Sequence, residues 1–126
     1  MTRPVRQSEA LWFDNHFKKS FKKLPEPEQK KRLAELAELV KELADCTHPL
    51  LDPRLSPWRP SAYHVPKVPR DKQLCEYRCT FPMRVIALWI EPCLEDPEGA
   101  VLLVAVTLSH DHERLKEIIS RNRASL

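Results

Sequence analysis

The segment Ala100–Leu108 constrains the fold more than any other part of the chain. It contains no charged residue and is apolar apart from one threonine. A continuous apolar run of this kind suits a central β-strand that is covered on both faces. It is far shorter than the roughly 18 to 20 residues that a membrane-spanning helix needs. The segment therefore predicts a packed sheet, and we expect no membrane span.

Hydrophobic periodicity predicts the other elements. From residue 73, apolar and polar residues alternate, which predicts two strands separated by Pro82. Earlier in the chain, apolar residues recur three and four positions apart, which predicts two helices joined at Pro25 and Pro27. The predicted order is a frayed polar arm at 1–8, a strand at 10–13, helices at 14–24 and 28–44, strands at 74–81, 83–91 and 100–108, and a helix at about 112–122.

This order of elements predicts an α+β fold in one domain over residues 1–126, because helices precede the run of strands. We expect an N-terminal strand and a helical hairpin packed on one face of a mostly antiparallel sheet of about four strands, with a C-terminal helix. The other face of the sheet is expected to be free and to form a concave, ligand-facing surface.

A proline-rich loop at about 46–72 interrupts the pattern. Six prolines fall between Pro49 and Pro69, so neither a helix nor a central strand is expected there. A loop this long inside a small domain is usually functional or disordered. Trp58 and Tyr63 are expected to anchor the loop to the body, with stacking on RNA bases as the alternative.

Composition excludes several classes of function. Gly99 is the only glycine, which excludes glycine-rich phosphate loops. The 21 basic and 18 acidic residues give a net charge of +3, so the chain is not a polycation, although its basic residues cluster locally. With no secretory signal at the N-terminus, we expect a cytoplasmic protein whose four cysteines are reduced thiols. We expect no metal and no cofactor, and the alternative is a zinc site at Cys75 and Cys79.

Two stretches of the chain carry recognisable motifs: residues 17–25 read FKKSFKKLP and precede a leucine-rich helix, and residues 76–88 read EYRCTFPMRVIAL. Both stretches resemble the RelE/ParE superfamily, the toxins of bacterial type II toxin–antitoxin pairs. A closing apolar strand and a basic tail that contains His110 complete an order similar to that of the family over about residues 9–122. The chain departs from the family in its proline-rich insert, its cysteines, its last helix and the lack of a C-terminal tyrosine.

The resemblance implies a toxin, and the RelE-like branch implies an endoribonuclease that cleaves mRNA at the ribosome by 2′-OH attack on the adjacent phosphate. Such chemistry needs fixed positive charge and a proton carrier. The residues that match are Arg84 and Arg78 for charge and His110 for the proton. Each has a structural alternative: Arg78 pairs with Glu76 or faces solvent, Arg84 belongs to a buried ion pair, and His110 lies in a turn.

The implied partners are a cognate antitoxin, mRNA and the ribosome. Basic residues beside the sheet are expected to bind RNA: Lys67, Arg70, Lys72 and His112. Two other functions stay open. One is a non-enzymatic ParE-like toxin that inhibits a protein such as DNA gyrase, and the other is a degenerate relative that only binds a partner.

Overall fold

The structure is a computed structural model that describes residues 2–13, 15–63, 72–80, 82–108 and 112–121. The chain has the predicted α+β architecture. No helix within these ranges is both long and apolar enough to cross a membrane. The elements are β1 Val5–Phe13, α1 Asn15–Lys22, α2 Glu26–Asp45, a 3-10 helix Pro53–Trp58, β2 Ser61–Ala62, β3 Lys72–Arg78, β4 Met83–Ile90, β5 Ala100–Leu108 and α3 His112–Arg121.

Within the described residues the strands form one mixed sheet of five strands in the order β1-β5-β4-β3-β2. β1 pairs with β5 in parallel, and the other three pairings are antiparallel. The predicted mostly antiparallel sheet is therefore correct, but it has one strand more than expected. The extra strand, β2, has two residues and lies at the edge of the sheet, inside the proline-rich segment. Prolines are tolerated at a sheet edge, because the N–H group that they lack would face solvent there.

The helical hairpin of α1 and α2 covers one face of the sheet, as predicted. Phe17, Leu39 and Leu43 are buried there in one cluster with Tyr77 and Val85 from the sheet. Burial of each large apolar side chain stabilises the fold by about 1.5–3 kcal/mol. This face forms the larger core of the protein.

The opposite face of the sheet is not the free surface that the sequence suggested. Leu115 and Ile119 of α3 are buried in a second cluster with Leu74, Ile86 and Leu88. The physical reason is the composition of β4 and β5: both strands carry large apolar side chains on both faces, and the second face also needs cover.

The N-terminal arm that was expected to fray is anchored, and β1 begins at Val5. The backbone N–H of Arg3 donates to the carbonyl of Ala44 at 3.0 Å, and its guanidinium donates to the carbonyl of Cys46 at 2.9 Å. The same guanidinium lies 4.1 Å from the ring centroid of Trp89. These carbonyls lie at the C-terminal end of α2, where free acceptors and the helix dipole both favour a cation.

The proline-rich segment contains a 3-10 helix, Pro53–Trp58, although no helix was expected there. The carboxylate of Asp52 caps it, accepting from the backbone N–H groups of Arg54 and Thr47, each at 3.0 Å. Pro53 suits the first turn because its fixed φ is helical and its missing N–H has no role there. Leu55, a residue of this helix, is buried in the main core and packs the helix against it.

Asp52 should contribute to stability in a pH-dependent way. The Arg54 guanidinium, followed by the N–H groups of Thr47 and Arg54, holds the pKa of its carboxyl well below the usual range. A carboxyl with a lowered folded-state pKa stabilises the fold above its unfolded pKa of about 3.9, and this contribution disappears as the pH falls below that value. Asp52→Asn should therefore lower the thermal midpoint at pH 7, and the gap between variant and parent should narrow towards pH 3.

Thermal unfolding of parent and variant at pH 7, 5 and 3 measures this gap. The control is Glu38→Gln, which changes an exposed carboxylate on α2. A gap that stays constant across the three pH values would contradict the role given to the Asp52 carboxylate.

Candidate functional site

Three arginines meet at one end of the sheet. Arg78 ends β3 and lies directly opposite Arg84, near the start of β4. The register of β2 against β3, with Ser61 opposite Glu76, brings the preceding residue Arg59 to the same end of β3. All three line one open cavity of about 570 Å³. We call it the arginine cleft and define it by six lining residues: Glu35, Trp58, Arg59, Thr80 and the two arginines of the hairpin.

The charges in the arginine cleft are not balanced. Cβ atoms of directly opposed residues lie about 4.5–5.5 Å apart, and like charges at such positions repel each other. Glu76, only 5% exposed, forms an ion pair with Arg84 and compensates one of the charges. Among the described residues, Arg59 and Arg78 have no carboxylate partner. Three arginines against the carboxylates of Glu35 and Glu76 leave a net charge of +1 among these side chains, so the cleft suits an anion.

Glu35 of α2 fixes the turn between β3 and β4. Its carboxylate accepts from the backbone N–H of Thr80 at 2.9 Å and also from the Thr80 hydroxyl. Both carboxylate oxygens are thus engaged in holding the turn. Glu35 positions the hairpin that carries Arg78 and Arg84, and it is not arranged as a general base.

The other wall of the cleft comes from the proline-rich segment. Trp58 ends the 3-10 helix, is half-buried, and packs against the main core while it lines the cleft. Arg59 follows with φ +45°, in the left-handed region that non-glycine residues rarely occupy. Its N–H donates to the carbonyl of Ser56 at 3.1 Å and holds this conformation. Strained backbone of this kind clusters at binding sites.

Of the residues predicted for catalysis, the structure brings Arg78 and Arg84 side by side. Glu76 pairs with Arg84, so the structural alternative proposed for Arg84 is present. Arg78 does not pair with Glu76 but is exposed, so its structural alternative is present as a side chain that faces solvent. His110, the predicted proton carrier, lies outside the described residues.

Of the residues predicted to bind RNA, Lys72 lies away from the arginine cleft. Lys72 begins β3 opposite Ile90, six residues before Arg78, which places it about 20 Å away along the strand. His112 begins α3. Lys67 and Arg70 lie outside the described residues.

Sequence reasoning missed Glu35 and Arg59. Glu35 lies on a helix rich in charged residues, and nothing in the sequence separates it from its neighbours. The sequence did contain a pattern that could have identified Arg59, since an aromatic residue and an arginine lie together between Pro57 and Pro60. Trp58 was expected to anchor the loop, and its packing against the core confirms that role.

The cysteines are free thiols without the features of a reactive or metal-binding group. Burial raises the pKa of Cys75 and of Cys79 to about 12, so both are protonated near neutral pH. Within the described ranges, no three His, Cys, Asp or Glu side chains come together in a way that could hold a metal ion.

No family model, no curated protein and no solved structure matches the chain.

The Glu76–Arg84 pair should be a large contributor to stability. Arg84→Ala leaves the buried Glu76 carboxylate without its cation, which should cost about 3 kcal/mol of unfolding free energy. Replacing both residues with leucine should recover most of this loss, because no buried charge then remains. Urea unfolding of the single and double variants measures the coupling.

The matched control is Arg78→Ala, one strand away. Because Arg78 has no carboxylate partner in the described part of the chain and repels Arg84, its removal should change the unfolding free energy by less than about 0.5 kcal/mol. Equal losses of unfolding free energy in Arg78→Ala and Arg84→Ala would show that Arg84 does not stabilise the buried Glu76 carboxylate specifically.

Proposed function

We propose that this protein is a RelE-like toxin of a type II toxin–antitoxin system, an endoribonuclease that cleaves mRNA in association with the ribosome. The observation that carries the proposal is the Arg78–Arg84 pair in the arginine cleft. Of two opposed arginines only Arg84 has a carboxylate partner, so the pair keeps a positive charge that a bound anion would compensate. The phosphate of an RNA backbone is such an anion.

The proposed reaction is attack of an RNA 2′-OH on its own phosphate, with departure of the 5′-oxygen. Arg84, oriented by Glu76, stabilises the charge that develops on the phosphate oxygens, and Arg78 assists it. His110 carries a proton in this proposal, since imidazole exchanges protons near neutral pH. A guanidinium that is already held in place stabilises the transition state without rearrangement.

The proposal predicts separate effects of the two arginines on cleavage. Arg78→Ala should lower single-turnover cleavage about 10-fold or more while the protein stays folded. Arg84→Lys keeps a cation beside Glu76, but it loses the planar guanidinium and should lower cleavage about 100-fold. His110→Ala should cost roughly 10² to 10⁴ in rate and flatten the pH profile. The measurement is single-turnover cleavage of mRNA on programmed ribosomes.

Arg6→Ala serves as the control, because Arg6 pairs with Asp96 near the far edge of the sheet. Cleavage at the parental rate by folded Arg78→Ala, Arg84→Lys and His110→Ala proteins would refute the site assignment. A parent that never cuts RNA but inhibits DNA gyrase would support the ParE-like alternative. A parent with neither activity would be a binding-only relative.

The other basic residues predicted from the sequence have a different proposed role. Lys67, Arg70, Lys72 and His112 would contact RNA or ribosome away from the reacting phosphate. Such contacts affect affinity and its dependence on salt rather than the rate of the chemical step.

We propose that the antitoxin docks on the helical hairpin. We define the apolar groove by five side chains that line a cavity of about 220 Å³: Phe13, Phe17, Phe21, Leu33 and Leu36. Lys18, Lys22 and Arg32 form a basic rim around it. An acidic amphipathic helix complements both features. Met83 lines the groove and the arginine cleft alike, so a bound antitoxin would lie next to the cleft.

Leu33→Glu should break this complex. Leu33 is 55% exposed, so the change should leave the fold intact, but it places a negative charge where an acidic partner would bind. We expect at least a tenfold loss of affinity for the product of the adjacent antitoxin gene, measured by titration and gel filtration. Leu94→Glu, at a fully exposed leucine in the turn before β5, is the matched control. Equal binding by both variants would place the antitoxin elsewhere.

A further inference from the structure

The wall of the arginine cleft formed by the proline-rich segment has the features of a nucleotide-binding element. Trp58 has one side packed against the core and another that lines the cleft. A ring supported in this way presents a rigid surface on which a base can stack at little cost in side-chain entropy. Stacking on aromatic rings is a main way in which proteins hold single-stranded RNA.

Arg59 supplies the charge beside this ring. It lies at φ +45°, although a glycine would occupy that conformation without strain. Arg59 lines the same cavity as Arg78, and neither has a carboxylate partner in the described part of the chain. Two guanidinium groups in one cleft can both donate to one phosphate.

We propose that Trp58 and Arg59 bind one nucleotide of single-stranded RNA, with the base stacked on Trp58 and its phosphate held between Arg59 and Arg78. This inference names the substrate contacts of the proposed endoribonuclease site and rests on that function for the identity of the ligand. The cavity of about 570 Å³ falls in the size range of sites that enclose small ligands. The wall acts in binding, whereas Arg84 on the hairpin acts on the reacting phosphate.

A binding experiment that excludes cleavage tests the inference separately from the reaction. The probe is a fluorescein-labelled hexauridine with 2′-O-methyl groups, which cannot be cut by 2′-OH attack. Fluorescence anisotropy at several salt concentrations gives the affinity and its salt dependence. The variants are Trp58→Leu, Trp58→Phe and Arg59→Gly, with Arg6→Ala as the control for loss of one arginine far from the cleft.

Each variant has its own expected signature. Trp58→Leu keeps apolar packing but loses the ring, so it should bind roughly 10-fold more weakly with an unchanged salt slope. Trp58→Phe should bind within about threefold of the parent, because a smaller ring can still stack. Arg59→Gly should bind more weakly, and its salt slope should fall by about 0.7, the value for one phosphate contact on a single strand.

Arg59→Gly also shows whether a fall in RNA affinity comes from a lost contact or from misfolding. Glycine accepts φ +45° readily, so the thermal midpoint of this variant should equal or exceed that of the parent while RNA affinity falls. A structural role for Arg59 would lower both together, and that result would overturn the inference.

If Trp58→Leu and Arg59→Gly both bind the RNA with the affinity and salt slope of the parent, the inference is overturned. The endoribonuclease proposal is not affected by that result. If these variants lose RNA binding and the parent cuts no RNA, the result would support nucleotide binding by Trp58 and Arg59 and refute the proposed endoribonuclease activity. A hexaglutamate peptide that displaces the RNA with equal affinity and the same dependence on Trp58 would show that the wall binds protein instead.

Discussion

The burial of β4 is the constraint on which the rest of the structure depends. Every side chain from Val85 to Ile90 is buried, so both faces of this strand need an apolar cover. The helical hairpin supplies one cover and α3 supplies the other. Charged groups cannot be placed on these faces without a partner, since burial of an unpaired charge is too costly. The arginines of the hairpin therefore lie at the end of the sheet, where Arg84 comes just before the buried stretch and pairs with Glu76.

The strands and helices with strong internal patterns could be predicted from the sequence, because their signal is local. Ala100–Leu108 forms a strand with the predicted bounds, and α2 differs from its predicted bounds by one or two residues. The start of β1 could not be predicted, because residues 5–8 are mostly polar. They are held by pairing with β5 and by Arg3 on the carbonyls at the end of α2, which are contacts between distant parts of the chain.

The arginine cleft could be predicted only in part, for the same physical reason. Arg78 and Arg84 lie six residues apart across one hairpin, so alternation and a tight turn were enough to bring them together. Arg59 joins them through the pairing of β2 with β3, across the proline-rich segment, and no local pattern shows this register. The 3-10 helix also escaped prediction, since its cap depends on Asp52 reaching back to Thr47 as well as forward to Arg54.

The arginine cleft contains several energetically unfavourable features, and a neighbouring group compensates each of them. Glu76 offsets the repulsion between Arg78 and Arg84, the Ser56 carbonyl holds Arg59 in a strained conformation, and Glu35 fixes the turn of the hairpin. Among the described residues, Arg59 and Arg78 have no carboxylate partner, whereas the Arg84 guanidinium is held by Glu76. An anion entering the cleft therefore meets one guanidinium that is already fixed in place. Such preorganisation favours binding, because little further ordering of the protein is needed when the ligand arrives.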